Sequence, residues 1–278
     1  MITLMKLTDE AFRLKLDQSC EKAASVSTLV SAQNDTAAFQ ILVRSDHAYT
    51  LSCGKSDYFS SKGRLQGPIE RYRVAVECPL EVTMNVEGFM TDDDGIEKAD
   101  VLLGYDVIES RPNTPAAVYA EVKVPKNTAP GTYSAVVRVY SSRYSEDEKQ
   151  VAEETVTIQV YPYEMPDAKD YGFYLDLWQH NANIARKTDV PLWSDAHFEV
   201  MRKYLRTLGA LGNKSVTVIA SEIPWSGQGC NTPLEFGGNM FEYSIIGVTR
   251  NKEGVFEYDY GPKTSISPVI PSSPAISI

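Results

Sequence analysis

The chain is short of histidine, of basic charge, of long apolar runs and of paired cysteines, and each shortage removes a class of function. Its three histidines, His47, His180 and His197, stand far apart without metal-ligand spacing, so no metal centre is expected. Lys and Arg number 27 against 37 Asp and Glu, a formal net charge of −10. That balance disfavours nucleic acid and anionic membrane as partners, because both need a basic surface. No window approaches about 18 uncharged apolar residues, so no membrane-spanning helix is expected. The four cysteines, Cys20, Cys53, Cys78 and Cys230, form no C-x-x-C pair and read as reduced structural thiols of a cytoplasmic protein. The opening MITLMKLTDEAFRLKLD carries charge throughout and lacks an apolar h-region, so a secretory signal is not expected there. There is no G-x-S-x-G, P-loop or G-x-G-x-x-G, and no cofactor is expected. In TDDDGIE (91–97) the glycine follows too soon for a calcium loop, and the stretch reads as a solvated acidic turn.

What is present is enough for two ordinary domains: 278 residues, 43% of them hydrophobic and 23% charged. The first part is a succession of short strand patterns rich in Val, Tyr, Thr and Ile. They are FQILVRS (39–45), ERYRVAVE (70–77), LEVTMNV (80–86), AVYAEVKV (117–124), TYSAVVRVY (132–140) and ETVTIQVY (154–161). Turn chemistry separates them, and no helical period lies between, so residues 1–161 are expected to form an antiparallel β-sandwich.

PYEMPDAKD (162–170), with two prolines and three acids, reads as a linker. Beyond it the period changes. Residues 172–177 make a short buried strand pattern. Ser194 is a good helix N-cap, Phe198, Met201, Leu205, Leu208 and Leu211 then recur at helical spacing, and Gly212 suits a left-handed C′ position. SVTVIA (215–220) is an apolar run of the kind found in strands covered on both faces. Strand, helix and apolar strand predict a βαβ unit in a parallel sheet, the start of a second domain of α/β type. IIGVTR and VFEYDY, joined by Asn251 to Gly254, predict a hairpin, which closes the second domain at 171–260. GPKTSISPVIPSSPAISI (261–278) loses all periodicity and reads as an aberrant tail. Two strands are too few to close a barrel or bury a sheet on both faces, so apolar surface is left uncovered and self-association through it is expected.

In α/β architectures functional groups gather at the carboxyl ends of strands. Here those ends carry Asp176, Trp178, Gln179 and His180 after the first strand, and Glu222 and Trp225 after the second. An indole offers a flat apolar face to the C–H side of a pyranose, and neighbouring carboxylates and amides take the hydroxyls, so these residues are the expected sugar contacts. Asp176 and Glu222 also form a candidate glycosidase pair, a role that needs two acids at a defined separation.

The stretch DLWQHNANIARKTDVPLWSDAHFEVMRKYLRTLGALG, followed by VTVIASEIPWSGQ, resembles bacterial proteins related to glycoside hydrolase family 123. AQNDTAAFQILVRS, DGIEKADVLLG and the Pro-Gly-x-Tyr hairpin of VPKNTAPGTYSAVVRV agree, and the likeness runs over roughly residues 5–260. The resemblance implies a β-sandwich packed on a (β/α)8 TIM barrel, of which the βαβ unit within 171–260 is the incomplete opening, and action on N-acetylhexosamine glycans as a β-N-acetylgalactosaminidase. It also implies substrate-assisted catalysis, in which an adjacent Asp and Glu on a later barrel strand serve the sugar's own 2-acetamido group. That strand is missing here, so no catalytic pair is carried over. Three readings follow. One is the N-terminal portion of such a hydrolase, inactive alone because a frameshift or early stop interrupted its gene. The second is a non-catalytic carbohydrate-binding or assembly module, and the third is a compact enzyme using Asp176 and Glu222 directly.

Overall fold

A computed structural model describes residues 1–16, 20–54, 70–143, 148–217 and 246–259. The chain divides into two compact units, Met1–Met165 and Pro166–Ile278.

Among the described residues the first unit holds eleven strands in two sheets. One sheet is built from β1 (Ile2–Asp9), β3 (Asp35–Ser45), β9 (Ala116–Val124), β6 (Val82–Thr91) and β7 (Glu97–Leu102), in that order. The other runs β2 (Thr28–Gln33), β11 (Lys149–Glu164), β10 (Gly131–Arg143), β5 (Glu70–Glu77), β4 (Tyr49–Ser52) and β8 (Val107–Ser110). Alternation explains why they pack. Phe39, Ile41 and Val43 of β3, with Val118, Ala120 and Val122 of β9, point one way. They meet Val137 and Val139 of β10, Val156, Ile158 and Val160 of β11, and Tyr72 and Val74 of β5 in one apolar core between the sheets.

Three expectations need correction. The unit is not purely antiparallel, since β11 pairs β2 in parallel and β4 pairs β5 in parallel. The Pro-Gly-x-Tyr segment is not a hairpin within one sheet. Its turn, with Asn127 at φ 62°, carries the chain from β9 in one sheet to β10 in the other. The strand β11 also continues through Pro162 and Tyr163 to Glu164, into the stretch read as a linker. Pro162 is tolerated there because the ladder with β10 has ended at Val160 and the pairing with β2 shifts between Val160 and Glu164, so no ladder N–H is needed.

The outer face of β3 is covered as well. Leu14, Cys20 and Ala23 close over Leu42 and Ala117, and Ala99 N–H donates to Leu14 O at 2.8 Å. Beneath this cover Gln40 donates its amide to the carbonyls of Asp9, Glu10 and Phe12. Glu87 lies buried on β6 beside the Arg13–Asp100 ion pair, and its Oε1 has no hydrogen-bond partner among the described residues.

In the second unit α1 (Asn181–Thr188) and α2 (Asp195–Ala210) follow a 3-10 turn at Ala168–Asp170. As the sequence predicts, Ser194 caps α2, its Oγ accepting the His197 N–H at 3.2 Å, and Gly212 follows the helix at φ +92°. No other residue suits position 212, since a Cβ there would lie 2.6 Å from Ala168 O. Phe198, Met201, Leu205 and Leu208 take the inner face of α2, but Leu211, past the last turn, is exposed. β12 (Gly247–Arg250) and β13 (Phe256–Asp259) form the expected antiparallel hairpin. Its turn is closed by Asn251 Oδ1, which accepts the N–H groups of Glu253 and Val255. Among the described residues no helix is long and apolar enough to cross a membrane.

Candidate functional site

The segment 174–180 behaves as a strand in its side chains and hardly in its backbone. Leu175, Leu177 and Gln179 turn inward, while Tyr174, Asp176, Trp178 and His180 turn out, the two-residue alternation of extended chain. Yet the expected strand at 172–177 makes only an isolated parallel bridge, Leu175 with Asn213, with Lys214 N–H donating to Leu175 O at 2.9 Å.

Side-chain amides replace the missing ladder. Asn213 Oδ1 accepts the Leu177 N–H at 2.7 Å. Gln179 Oε1 accepts the Thr217 N–H at 2.7 Å, and Asn181 Nδ2 donates to Thr217 O at 2.8 Å. Segments 175–181 and 213–217 therefore run side by side in parallel, with α1 and α2 between them in sequence. The expected second strand at 215–220 is described only to Thr217, and residues 215–217 form no ladder.

The placements of the expected sugar contacts differ. Asp176 and Trp178 come together: the indole Nε1–H donates to Asp176 Oδ2 at 3.2 Å, and the Ser215 hydroxyl donates to Asp176 Oδ1. Trp178 remains 66% exposed. His180 is exposed on the same side and starts α1, its backbone carbonyl accepting the Ile184 N–H at 3.2 Å. Gln179 is a correction. It is 8% exposed, its Oε1 holds Thr217 and its Nε2 donates to Leu177 O, so its amide braces the two segments instead of facing a ligand. Glu222 and Trp225 lie outside the described residues.

The run linking the helices supports this face from below. Trp193 is buried with φ +58°, a backbone conformation uncommon for a bulky residue. Its N–H donates to Nδ1 of the fully buried His197 at 3.0 Å, which places the His197 proton on Nε2, 2.9 Å from Asn181 O. One imidazole thus ties the start of α1 to the start of α2. The sequence shows His197 only as an isolated histidine. A short run with an apolar residue, a helix cap and a histidine one turn in was the available signal.

The acidic turn at 91–97 is a solvated hairpin bend. Lys98 Nζ lies 2.5 Å from Asp92 and 2.7 Å from Asp94, and it holds both carboxyls below their ordinary range. Among the described residues no cluster of His, Cys, Asp or Glu could hold a metal.

A family model, glycoside hydrolase 123 catalytic domain, matches residues 178–262, beginning at the exposed tryptophan. A solved family 123 glycoside hydrolase from Clostridium perfringens, studied for glycolipid glycan hydrolysis, has a TM-score of 0.65 at 16% identity. The match covers 92% of this chain and 43% of that one, so the chain spans less than half the length of this relative. The PapD-like domain 7 of human CEP192 (9% identity, 59% of this chain, 89% of that one) and the Escherichia coli fimbrial subunit AggA (10%, 58% and 95%) both have TM-scores of 0.27, likenesses too slight to carry an argument. No curated protein matches the sequence. The catalytic-domain match and the shared fold agree, and the chain is related to glycoside hydrolase family 123.

Proposed function

We propose that the chain binds a glycan containing an N-acetylhexosamine on the outward face of residues 174–180, with Asp176, Trp178 and His180 as contacts and Glu222 and Trp225 completing the set. The observation that carries this reading is the largely exposed indole of Trp178 beside a carboxylate, at the residue where the catalytic-domain match begins. The parallel run of 175–181 beside 213–217, separated in sequence by α1 and α2, supports reading the second unit as the opening of a (β/α)8 barrel that follows a sandwich and a short connection near 162–170.

The same proposal holds that these 278 residues bind without hydrolysing. From residue 166 onward no Asp is directly followed by Glu, so the adjacent acids of substrate-assisted catalysis are absent from the second unit. That absence equally favours a non-catalytic carbohydrate-binding module as the alternative. Incubation with aryl N-acetylgalactosaminide and N-acetylglucosaminide tests both parts. Saturable binding without release of the aryl group is expected, and Trp178→Ala weakens binding about tenfold or more, the range of a lost stacking partner. Turnover like that of a complete hydrolase would overturn the inactive reading. A folded chain that binds neither sugar would overturn the glycan reading.

A further inference from the structure

We propose that the β6–β7 hairpin is a pH-sensitive flap. It is hinged where β6 changes partner, lies on the outer face of the first sheet while Glu87 is protonated, and opens from that face when Glu87 ionises.

Strand β6 serves two neighbours in turn. Val82 to Val86 pair with β9, and from Glu87 to Thr91 the strand pairs with β7 instead. Past Val86 the strand parts from β9, and Phe89 and Ala99 come to lie in one apolar cluster with Leu42 of β3 and Ala117 of β9. The base of the hairpin is tied, since Leu103 N–H donates to Val86 O at 3.0 Å and Asn85 Nδ2 donates to Leu103 O at 3.2 Å. Beyond that base the flap is bonded to the arm at residues 10–16. Ala99 N–H donates to Leu14 O at 2.8 Å, Leu16 N–H donates to Glu97 O at 3.1 Å, and Arg13 pairs with Asp100 at 2.8 Å.

Glu87 stands at the hinge itself, the first residue past the change of partner. It is 4% exposed, and its Oε1 has no hydrogen-bond partner among the described residues. A carboxylate held there would be a buried charge short of donors, which costs far more than the neutral acid. The charged and titratable groups facing it are Arg13 from the arm, Asp100 from β7 and the Tyr119 phenol from β9, which also feels Glu10 and Glu121. Arg13 is engaged by Asp100, so the pair brings little net charge to the hinge. Burial pushes the Glu87 carboxyl up to about 7, while Arg13 lowers it and Asp100 raises it.

Ionisation gives the proton to solvent and leaves a charge that water solvates once the hinge lifts. The closed form holds the proton and the open form releases it. Closure is therefore most favoured below about pH 4.5, and the balance moves toward opening until about pH 7. Opening also uncovers the Cys20 thiol, which is 1% exposed in the same cluster.

The test is amide hydrogen exchange on the full chain, corrected for its intrinsic pH dependence and read at Leu16 and Ala99. In the wild type, exchange there is expected to climb between about pH 4.5 and about 7, by up to about two orders of magnitude, and to level off above. Glu87→Gln should match the wild type at the acid end and stay flat. These amides should exchange ahead of those of β10 and β11, the mark of a local opening. Alkylation of Cys20 at pH 8, located by peptide mass spectrometry, should run about tenfold or more faster in the wild type than in Glu87→Gln. An equal rise in both proteins, or flap amides that exchange only in step with β10 and β11, would overturn the flap. If Glu87→Gln fails to fold, the wild-type profile decides alone, and a flat one overturns the proposal.

Discussion

The two units are held together by different chemistry. The first is a conventional pair of sheets, and its core, from Leu7 to Val160, is apolar and drawn from eight of the described strands. The described part of the second buries Gln179, Asn181 and His197 beside Ala182, Ala185, Trp193 and Met201. In one, hydrophobic burial does most of the stabilising and the backbone ladders satisfy themselves. In the other, polar side chains stand where a ladder would be, so stability depends on a few directional bonds with no spare partners.

The comparison predicts that apolar loss harms the first unit most. Phe39→Ala removes a fully buried ring at the centre of the sandwich and should cost about 3–5 kcal/mol, read as a lower urea midpoint with faster hydrogen exchange in β9. A smaller cost would mean that the core relaxes around the cavity.

The first unit also contains an exception to its own rule. Burial pushes the Glu87 carboxyl up to about 7, with Asp100 adding to the rise and Arg13 opposing it. The folded chain therefore keeps a proton there, between about 4.5 and about 7, that the unfolded chain releases. Stability from this group is complete below the lower value and is lost as pH rises through the higher one, an expected loss of about 3 kcal/mol by pH 8. Glu87→Gln should remove that dependence, so the variant and the wild type agree near pH 4 and diverge in urea denaturation at pH 8, the variant being the more stable. Parallel pH profiles would show that Glu87 takes up water or a partner when ionised.

Polar loss should dominate the second unit. His197→Ala strands the Trp193 N–H and the Asn181 carbonyl, and about 2 kcal/mol is expected, measured as lost helical ellipticity on mild heating. His197→Phe keeps most of the volume without the bonds. If it restores stability, packing and not hydrogen bonding holds the helices, and the contrast between the units fails. The smallest effect expected is that of Ser194→Ala, about 1 kcal/mol for a lost N-cap, with hydrogen exchange accelerating at His197 N–H.

The legibility of the chain follows the same division. Strands with strong alternation, such as β5 at Glu70–Glu77 and β9 at Ala116–Val124, could be read to within a residue. The edge strands β1 and β2 and the short β4, β7 and β8 have no legible pattern, because short or charged strands owe their existence to a neighbour and not to their own sequence. Helix α2 was legible from its cap and its period. Helix α1 lacks an apolar stripe, and its end is set by Asp189 in the left-handed region. On the outward face of 174–180, Asp176 and Trp178 stand out as candidate sugar contacts because their types suit a sugar. Asn213 and Ser215 do not stand out, since nothing local marks a residue that serves a partner nearly forty positions away.

By itself the sequence determined the β-rich first unit, the change of period after residue 170, the capped helix and the tie to family 123, because periodicity, capping and motif are local properties. Tertiary structure alone decided the parallel pairings of β2 with β11 and β4 with β5, and the inward turn of Gln179 beside the outward turn of Trp178. It alone joined Ser215 to Asp176. Those outcomes depend on which segments meet in space, and a long-range hydrogen bond leaves no period in the chain that makes it.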